Sequence, residues 1–462
     1  PLKHLLMKKS LLLFAVLSFL TCHAQDFWTE VAPFQNPNNS SVSHISIVDE
    51  NIVWVTGRSF ISPGNTEEIW SYSTDGGFTW TNGEISLGNP DLIVSSVIAL
   101  SETTAFVSVF PKNTGSFGGV WKTENSGATW TNQPTATFNN IDSFANFIHF
   151  WDDNTGVVVG DPEGGFFEIY TTTNGGSNWD RVPQLNMPLP IDANEYALTD
   201  KYEIRNNTVR FATTFGRIFT STDYGNTWSV TQAPIPDFGG GINSDGSGSF
   251  SFKNNNEGLI VSDSFDFFRT INGGNSWISE STPQGLRNHQ ISFVPTTANT
   301  YFSIGGNLGS SSTFGSSYSL NGGIDWINLD DVDSDPVMPN VVKFQSGTVG
   351  FCLGYYTSNP TALKFFKLTD PLNRLNGALT TANFNENAFL VSPNPTQDFI
   401  KINGKNIQEI TLIDVQGKVL FVQSYPIVGE VHLDLTSFQN GVYFAKVIPV
   451  EGENYTVKIL KN

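Results

Sequence analysis

The sequence predicts an all-β protein, a β-propeller of seven blades followed by a smaller β-rich module, and three observations carry that prediction. An eight-residue unit recurs six times, and its closing tryptophans at 80, 130, 179, 228, 277 and 326 stand 49 or 50 residues apart. Between the copies, short apolar runs alternate with Gly-, Asn- and Ser-rich turns, and aromatics abound (37 Phe, 11 Trp, 12 Tyr), a composition that suits strands joined by turns. Beyond about residue 388 the repeat stops and a different spacing of strand and turn residues begins.

The repeated unit reads Ser/Thr-x-Asp/Asn-x-Gly-x-x-Trp. Its members are Asp75, Gly77 and Trp80; Asn125, Gly127 and Trp130; Asn174, Gly176 and Trp179; Asp223, Gly225 and Trp228; Asn272, Gly274 and Trp277; and Asn321, Gly323 and Trp326. The Asp or Asn oxygen accepts from backbone N–H groups a few residues on, and the Gly supplies a positive φ at no steric cost. The Trp then buries its ring between neighbouring units. This pattern resembles the Asp-box, or BNR repeat, of the sialidase, sortilin and photosystem II assembly-factor families. In those families the box is scaffold, and Asn at four of the six third positions, which keeps the turn and drops the charge, agrees with a structural role.

Taken in order, the chain opens with an export signal over residues 1–24, of which 1–6 lie upstream of a start at Met7. Lys8 and Lys9 are basic, Leu11 to Leu20 is an apolar core too short to span a bilayer, and Cys22-His23-Ala24 is a cleavage site. A lipoprotein with Cys22 lipidated is the alternative, although Thr21 is a poor residue before such a cysteine. After cleavage only Cys352 remains, which excludes an intramolecular disulfide and reads as a buried thiol. No later run reaches the length of a transmembrane helix.

Each repeat carries three strands before its box and one after it, which is a propeller blade. In the third, Phe147 to Trp151, Gly156 to Gly160 and Phe166 to Thr171 are the strands and Asp161 to Gly165 is the second turn. Three strands after the sixth box end at Thr369-Asp370, where Pro371 replaces a seventh turn. The segment Asp26 to Val31 looks like the strand that follows a box, so it completes the last blade and closes the ring over residues 26–376. Residues 377–387 form a linker.

Residues 388–462 contain Ser392-Pro393-Asn394-Pro395, the Asp414-x-x-Gly417-Lys418 turn, Gly441-Val442-Tyr443 and a terminal Lys461. In this order they resemble the type A C-terminal sorting domain of the type IX secretion system. That resemblance implies an immunoglobulin-like β-sandwich, passage through the periplasm, recognition by the outer-membrane machinery, and release or attachment at the cell surface.

The chain has a net charge of -19, and the part between signal and sorting domain holds 36 acidic against 15 basic residues. Such a surface repels phosphate backbones and anionic lipids, so nucleic acid is not an expected partner. Topology puts the boxes and the turns between first and second strands on one rim. The turns between second and third strands and the inter-blade connections share the other, where a ligand site is expected. Candidate carboxyl groups there are Asp161, Glu163 and Glu195, and candidate ligand contacts are Asp192, Tyr196 and Asp237. The loop Asn307 to Ser312 belongs to the same rim.

No sialidase-type arginine cluster is visible, since eight arginines are scattered singly and Arg217-Ile218-Phe219 only approaches the Arg-Ile-Pro signature. Asp331, Asp333 and Asp335 alternate as calcium ligands could, but Pro336 stands where a calcium loop needs Gly; no cofactor is expected otherwise. The reading is a secreted or cell-surface binding module for a glycan or protein. The alternatives are a secreted carbohydrate-active hydrolase and an envelope assembly or stability protein like the photosystem assembly factors.

Overall fold

The computed structural model describes residues 27–34, 40–62, 65–113, 115–140, 143–239, 247–306, 314–329, 337–369, 390–392, 396–415, 418–450 and 455–461. The export signal, the linker, Asp331, Asp333, Asp335, the Asn307 to Ser312 loop and the Pro393-Asn394-Pro395 start lie outside these residues. The chain divides into two compact units, Pro1–Gly377 and Ala378–Asn462. Among the described residues there is no α-helix, only a 3-10 turn at Gln184–Asn186, and no helix long and apolar enough to cross a membrane.

The first unit contains seven four-stranded antiparallel sheets. Each takes four strands in sequence order except the last, in which Val337–Phe344, Gly350–Tyr356 and Asn359–Leu368 are completed by the N-terminal Trp28–Val31. Trp28 pairs with Leu368 and Val31 with Phe365, and the Thr369 N–H donates to the Phe27 carbonyl at 3.1 Å. The first strand of every sheet touches the next sheet, and that of the seventh touches Ser40–Ile47 of the first. The sheets therefore follow one another around a ring.

What joins neighbouring sheets is aromatic and branched apolar packing. Trp130 buries with Trp54 and Trp70 of the first sheet, Trp228 with Phe147, Val157 and Phe167 of the third, and Trp326 with Leu259, Val261 and Phe267 of the fifth. Trp28 does the same for the closing strand, lying edge-on to Phe302 of the sixth sheet at 6.1 Å. Burying a side chain of this size is worth roughly 2–3 kcal/mol per site.

Local differences from the sequence reading have backbone causes. The strands flanking the second turn of the third sheet run to Glu163 and resume at Phe166, because Gly164 and Gly165 (φ 69° and 89°) make a two-residue turn. Asp161 and Glu163 are thus strand residues. In the second unit, Phe399–Asp414 pairs along its length with Val419–Asp434, with Leu390–Ser392 at its start and with Gly441–Pro449 at its end. Register shifts near Asn403 to Glu409 interrupt it, and residues of both halves, Ile400 and Ile402 with Ile410 and Leu412, share one core. The Asp414–Lys418 turn closes with the Lys418 N–H donating to Asp414 Oδ1 at 2.9 Å.

Candidate functional site

The boxes form one rim as scaffold. In the fourth, the Gly225 N–H donates to Ser221 Oγ at 2.8 Å, the Thr227 N–H to Asp223 Oδ1 at 2.9 Å, and Trp228 Nε1 to the Gly225 carbonyl at 2.8 Å. Asn serves equally: Asn125 Oδ1 accepts the Thr129 N–H at 2.9 Å while Nδ2 donates to the Thr129 hydroxyl at 2.9 Å. Each box also binds the turn between the first two strands of its own sheet, as in Gly175 N–H to Asn154 O at 3.0 Å. The Gly is required twice over, since a Cβ on Gly225 would lie 2.8 Å from Val157 of the preceding sheet and φ there is +88°.

The opposite rim collects the candidate residues, and most of their carboxyl groups are engaged. Asp161 Oδ1 accepts from Asn146 Nδ2 at 2.8 Å and from the Ala197 N–H at 3.0 Å, tying the third sheet to the fourth, and burial pushes its carboxyl up to about 7. Glu163 is ion-paired with Arg181 at 2.7 Å and accepts from Asn140 Nδ2 at 2.8 Å. Glu195 is fully buried. Its carboxylate lies 3.1 Å from Arg217 Nε and accepts from the Thr213 hydroxyl at 2.7 Å and the Ile191 N–H at 2.8 Å. The expectation that Glu195 is a rim carboxylate open to ligand is therefore corrected, because it is the internal anchor of a loop. Arg217, the first residue of its strand, is that anchor's counter-ion.

That loop is the connection 183–196 between the third and fourth sheets. Besides Glu195 it is held by buried Met187, by the Asn186 carbonyl accepting the Trp228 N–H at 2.8 Å, and by the Leu189 carbonyl accepting Arg217 Nη2 at 3.0 Å. Pro183, Pro188 and Pro190 restrict its backbone. With the loop so fixed, Leu185, Leu189, Ile191 and Tyr196 still face solvent. Asp192 is exposed and accepts the Asn194 N–H at 2.8 Å. Asp237, expected as a ligand contact, is buried and accepts the Gly239 N–H at 2.8 Å, which makes it a turn residue.

Sequence reasoning placed a ligand site at the mouth of the central channel but did not single out the residues that line it. A cavity of about 660 Å³ is enclosed by the first strands of all seven sheets, with Ser46, His149, Tyr202, Ser251, Gln290 and Lys343 among its lining. His149 and His289 line it, and His44, on the first strand of the first sheet, donates from Nε2 to the Val94 carbonyl at 3.1 Å. Burial lowers all three histidines, His149 to about 3. In the fourth sheet the register slips between Ala197 and Tyr202, so the strand bulges where Asp200 and Lys201 enter the channel wall. Burial lowers Lys201, and Lys343 Nζ rests 4.9 Å from the centre of the Tyr202 ring. No metal motif links these groups in sequence; only inward alternation along each first strand could have singled them out. Among the described residues no three His, Cys, Asp or Glu side chains are grouped to hold a metal ion.

Residues 112–312 match the family model described as Photosynthesis system II assembly factor YCF48, and residues 390–462 match that of the Secretion system C-terminal sorting domain. No curated protein matches the chain. Among solved structures, "YCF48 bound to D1 peptide" is similar over 75% of this chain and 98% of that one, at 16% identity and a TM-score of 0.53. YCF48 from Cyanidioschyzon merolae aligns over 74% and 98%, at 15% identity and a TM-score of 0.48. A GH74 xyloglucanase from Xanthomonas campestris aligns over 91% of this chain and 66% of that one, at 11% identity and a TM-score of 0.46. The first likeness agrees with a propeller fold. The chain is thus a β-propeller with BNR repeats carrying a type IX sorting domain, which directs it to the cell surface or the medium.

Proposed function

We propose that this secreted propeller is a binding module whose ligand, a polypeptide, docks on the exposed connection between its third and fourth sheets. The observation that carries the reading is the connection 183–196: a loop pinned by a buried ion pair and three prolines that nonetheless turns Leu185, Leu189, Ile191 and Tyr196 to water. A rigid loop with apolar side chains outward loses little entropy on binding, and such patches mark interaction sites. The bound peptide named for the YCF48 structure is in keeping with a polypeptide ligand. A glycan ligand is less well served by this surface, where Leu and Ile outnumber the one exposed Tyr.

A hydrolase needs two carboxyl groups free to act on one bond. Glu163 and Glu195 are both held by arginines, and Asp161 accepts two structural hydrogen bonds, which weighs against that alternative. The test is to present the full chain to immobilised polypeptides and polysaccharides, following binding and released reducing sugar together. Polypeptide binding that Leu189→Ser and Ile191→Ser weaken, without sugar release, is expected. Sugar release abolished by Asp161→Asn or Glu163→Gln would replace the binding module with an enzyme.

A further inference from the structure

We infer that the central channel is a second binding site, apart from the connection 183–196, for a small organic acid whose single carboxylate is held by Lys201 and Lys343. The observation that carries this is a charge balance opposite to that of the surrounding molecule. Lys201, Arg205 and Lys343 line the channel against Asp200 and Glu203, an excess of one cation, in a part of the chain with 36 acidic and 15 basic residues. Glu203 and Arg205 are matched already, pairing at 2.9 Å, and Glu203 also accepts the Phe252 N–H at 2.6 Å. Lys201 and Lys343 have no ion-pair partner among the described residues.

Both lysines act on the channel interior. Lys343 belongs to the seventh sheet, yet its Nζ rests 4.9 Å from the centre of the Tyr202 ring on the fourth, so it reaches across the ring of sheets. Burial lowers Lys201 although Asp263 and Asp200 act to raise it, and the Lys201 cation adds to the burial that lowers His289. His149, kept neutral by burial, lines the same cavity and has no hydrogen-bond partner among the described residues. It offers a further polar contact, and Ile45, Ile98, Ile148 and Val341 supply apolar wall beside it.

The chemical class follows from that lining. One carboxylate neutralises the excess cation, and inside a protein-walled channel the attraction is screened less than at the surface. A phosphate dianion would leave a charge unmatched and a cation would add to the excess, each at a desolvation cost. About 660 Å³ accommodates a small molecule with an apolar body.

The inference is tested on the full chain by calorimetric titration with acetate, isovalerate, benzoate and 3-phenylpropionate, each set against its neutral amide. At least one acid is expected to bind about tenfold or more tightly than its amide. Lys201→Met and Lys343→Met should each weaken that acid about tenfold while keeping the wild-type melting curve, and Lys343→Arg, which retains the charge, should restore most of it. Asp200→Asn removes the opposing carboxylate and should tighten binding by about threefold. Failure of every acid to saturate below about 10 mM overturns the inference. So does equal binding of acid and amide, or binding that both methionine variants leave unchanged. A short peptide with a free C-terminal carboxylate, compared with the same peptide amidated, separates a chain end from a free acid. If the peptide acid binds more tightly than every small acid and with the same lysine dependence, the channel takes a chain terminus and the small-molecule assignment falls. Leu189→Ser and Ile191→Ser should leave acid binding unchanged, so this site and the exposed connection fail or stand separately.

Discussion

Arg217 Nε stands 3.1 Å from Glu195 Oε1, with the glutamate side chain wholly out of solvent and the arginine nearly so. The contact is close but not aligned as a hydrogen bond, and Arg217 Nη2 instead donates to the Leu189 carbonyl at 3.0 Å. One guanidinium thus holds the displayed loop at two points, its middle and its C-terminal end. Glu195→Ala leaves that cation buried without a counter-charge and should cost about 3–5 kcal/mol in urea unfolding. Limited proteolysis should then cut within 183–196. Replacing Arg217 by Met in the same protein should recover part of the loss, and no recovery would mean that the pair is not the anchor.

Asp161 imposes a pH dependence of defined sign. Unfolded, it titrates near 3.9, whereas folded it is pushed up to about 7 by burial. Between those values the folded chain holds the extra proton, so this contribution favours folding most below about pH 4 and is lost as pH rises through about 7. Asp161→Asn keeps an oxygen for Asn146 and Ala197 and has no charge to desolvate. It should stabilise the protein by roughly 1–3 kcal/mol at pH 8 and hardly at all at pH 4. Melting curves that shift equally at both pH values would count against a raised Asp161.

His149 acts in the opposite direction. It is lowered to about 3 by burial in the channel wall, so the unfolded chain binds a proton below about 6.5 that the folded chain refuses. Its contribution is intact above that pH and is lost as pH falls toward 3. His149→Phe retains a ring beside Trp151, whose centroid is 5.0 Å from that of His149. It should therefore lessen the acid destabilisation by about 2 kcal/mol at pH 5, read as a shallower fall in melting temperature between pH 7 and pH 5. An unchanged acid limb would show that His149 is not the titrating group.

In the boxes, charge and geometry should separate. Asp223→Asn is expected to stay within about 0.5 kcal/mol of wild type, since Asn125 makes equivalent bonds in its own box. Gly225→Ala meets both the positive φ and the Val157 side chain at 2.8 Å, and should cost about 1–3 kcal/mol. Equal costs in chemical unfolding would remove the geometric account of the glycine.

Ring closure rests on Trp28, packed edge-on at 6.1 Å against Phe302 of the sixth sheet. Trp28→Ala should cost about 3–5 kcal/mol and broaden the unfolding transition. A transition as sharp and as high as wild type would mean that the N-terminal strand lies outside the cooperative unit.

By itself the sequence determined the repeat, and with it the four-stranded sheets, the box turns and the strand that completes the last sheet, because these depend on contacts a few residues long or one period apart. The Asn-for-Asp exchange and the box glycines were readable for the same reason, each satisfying a local hydrogen bond or a local φ. The rim was legible only as a location. That Glu195 is an anchor, Asp237 a turn residue and Asp161 a bridge between sheets was decided by tertiary structure, which buries a carboxyl or exposes it according to what the neighbouring sheet places beside it. The same holds for His149 and His289, which meet on one channel wall through the ring and not through any metal-binding spacing.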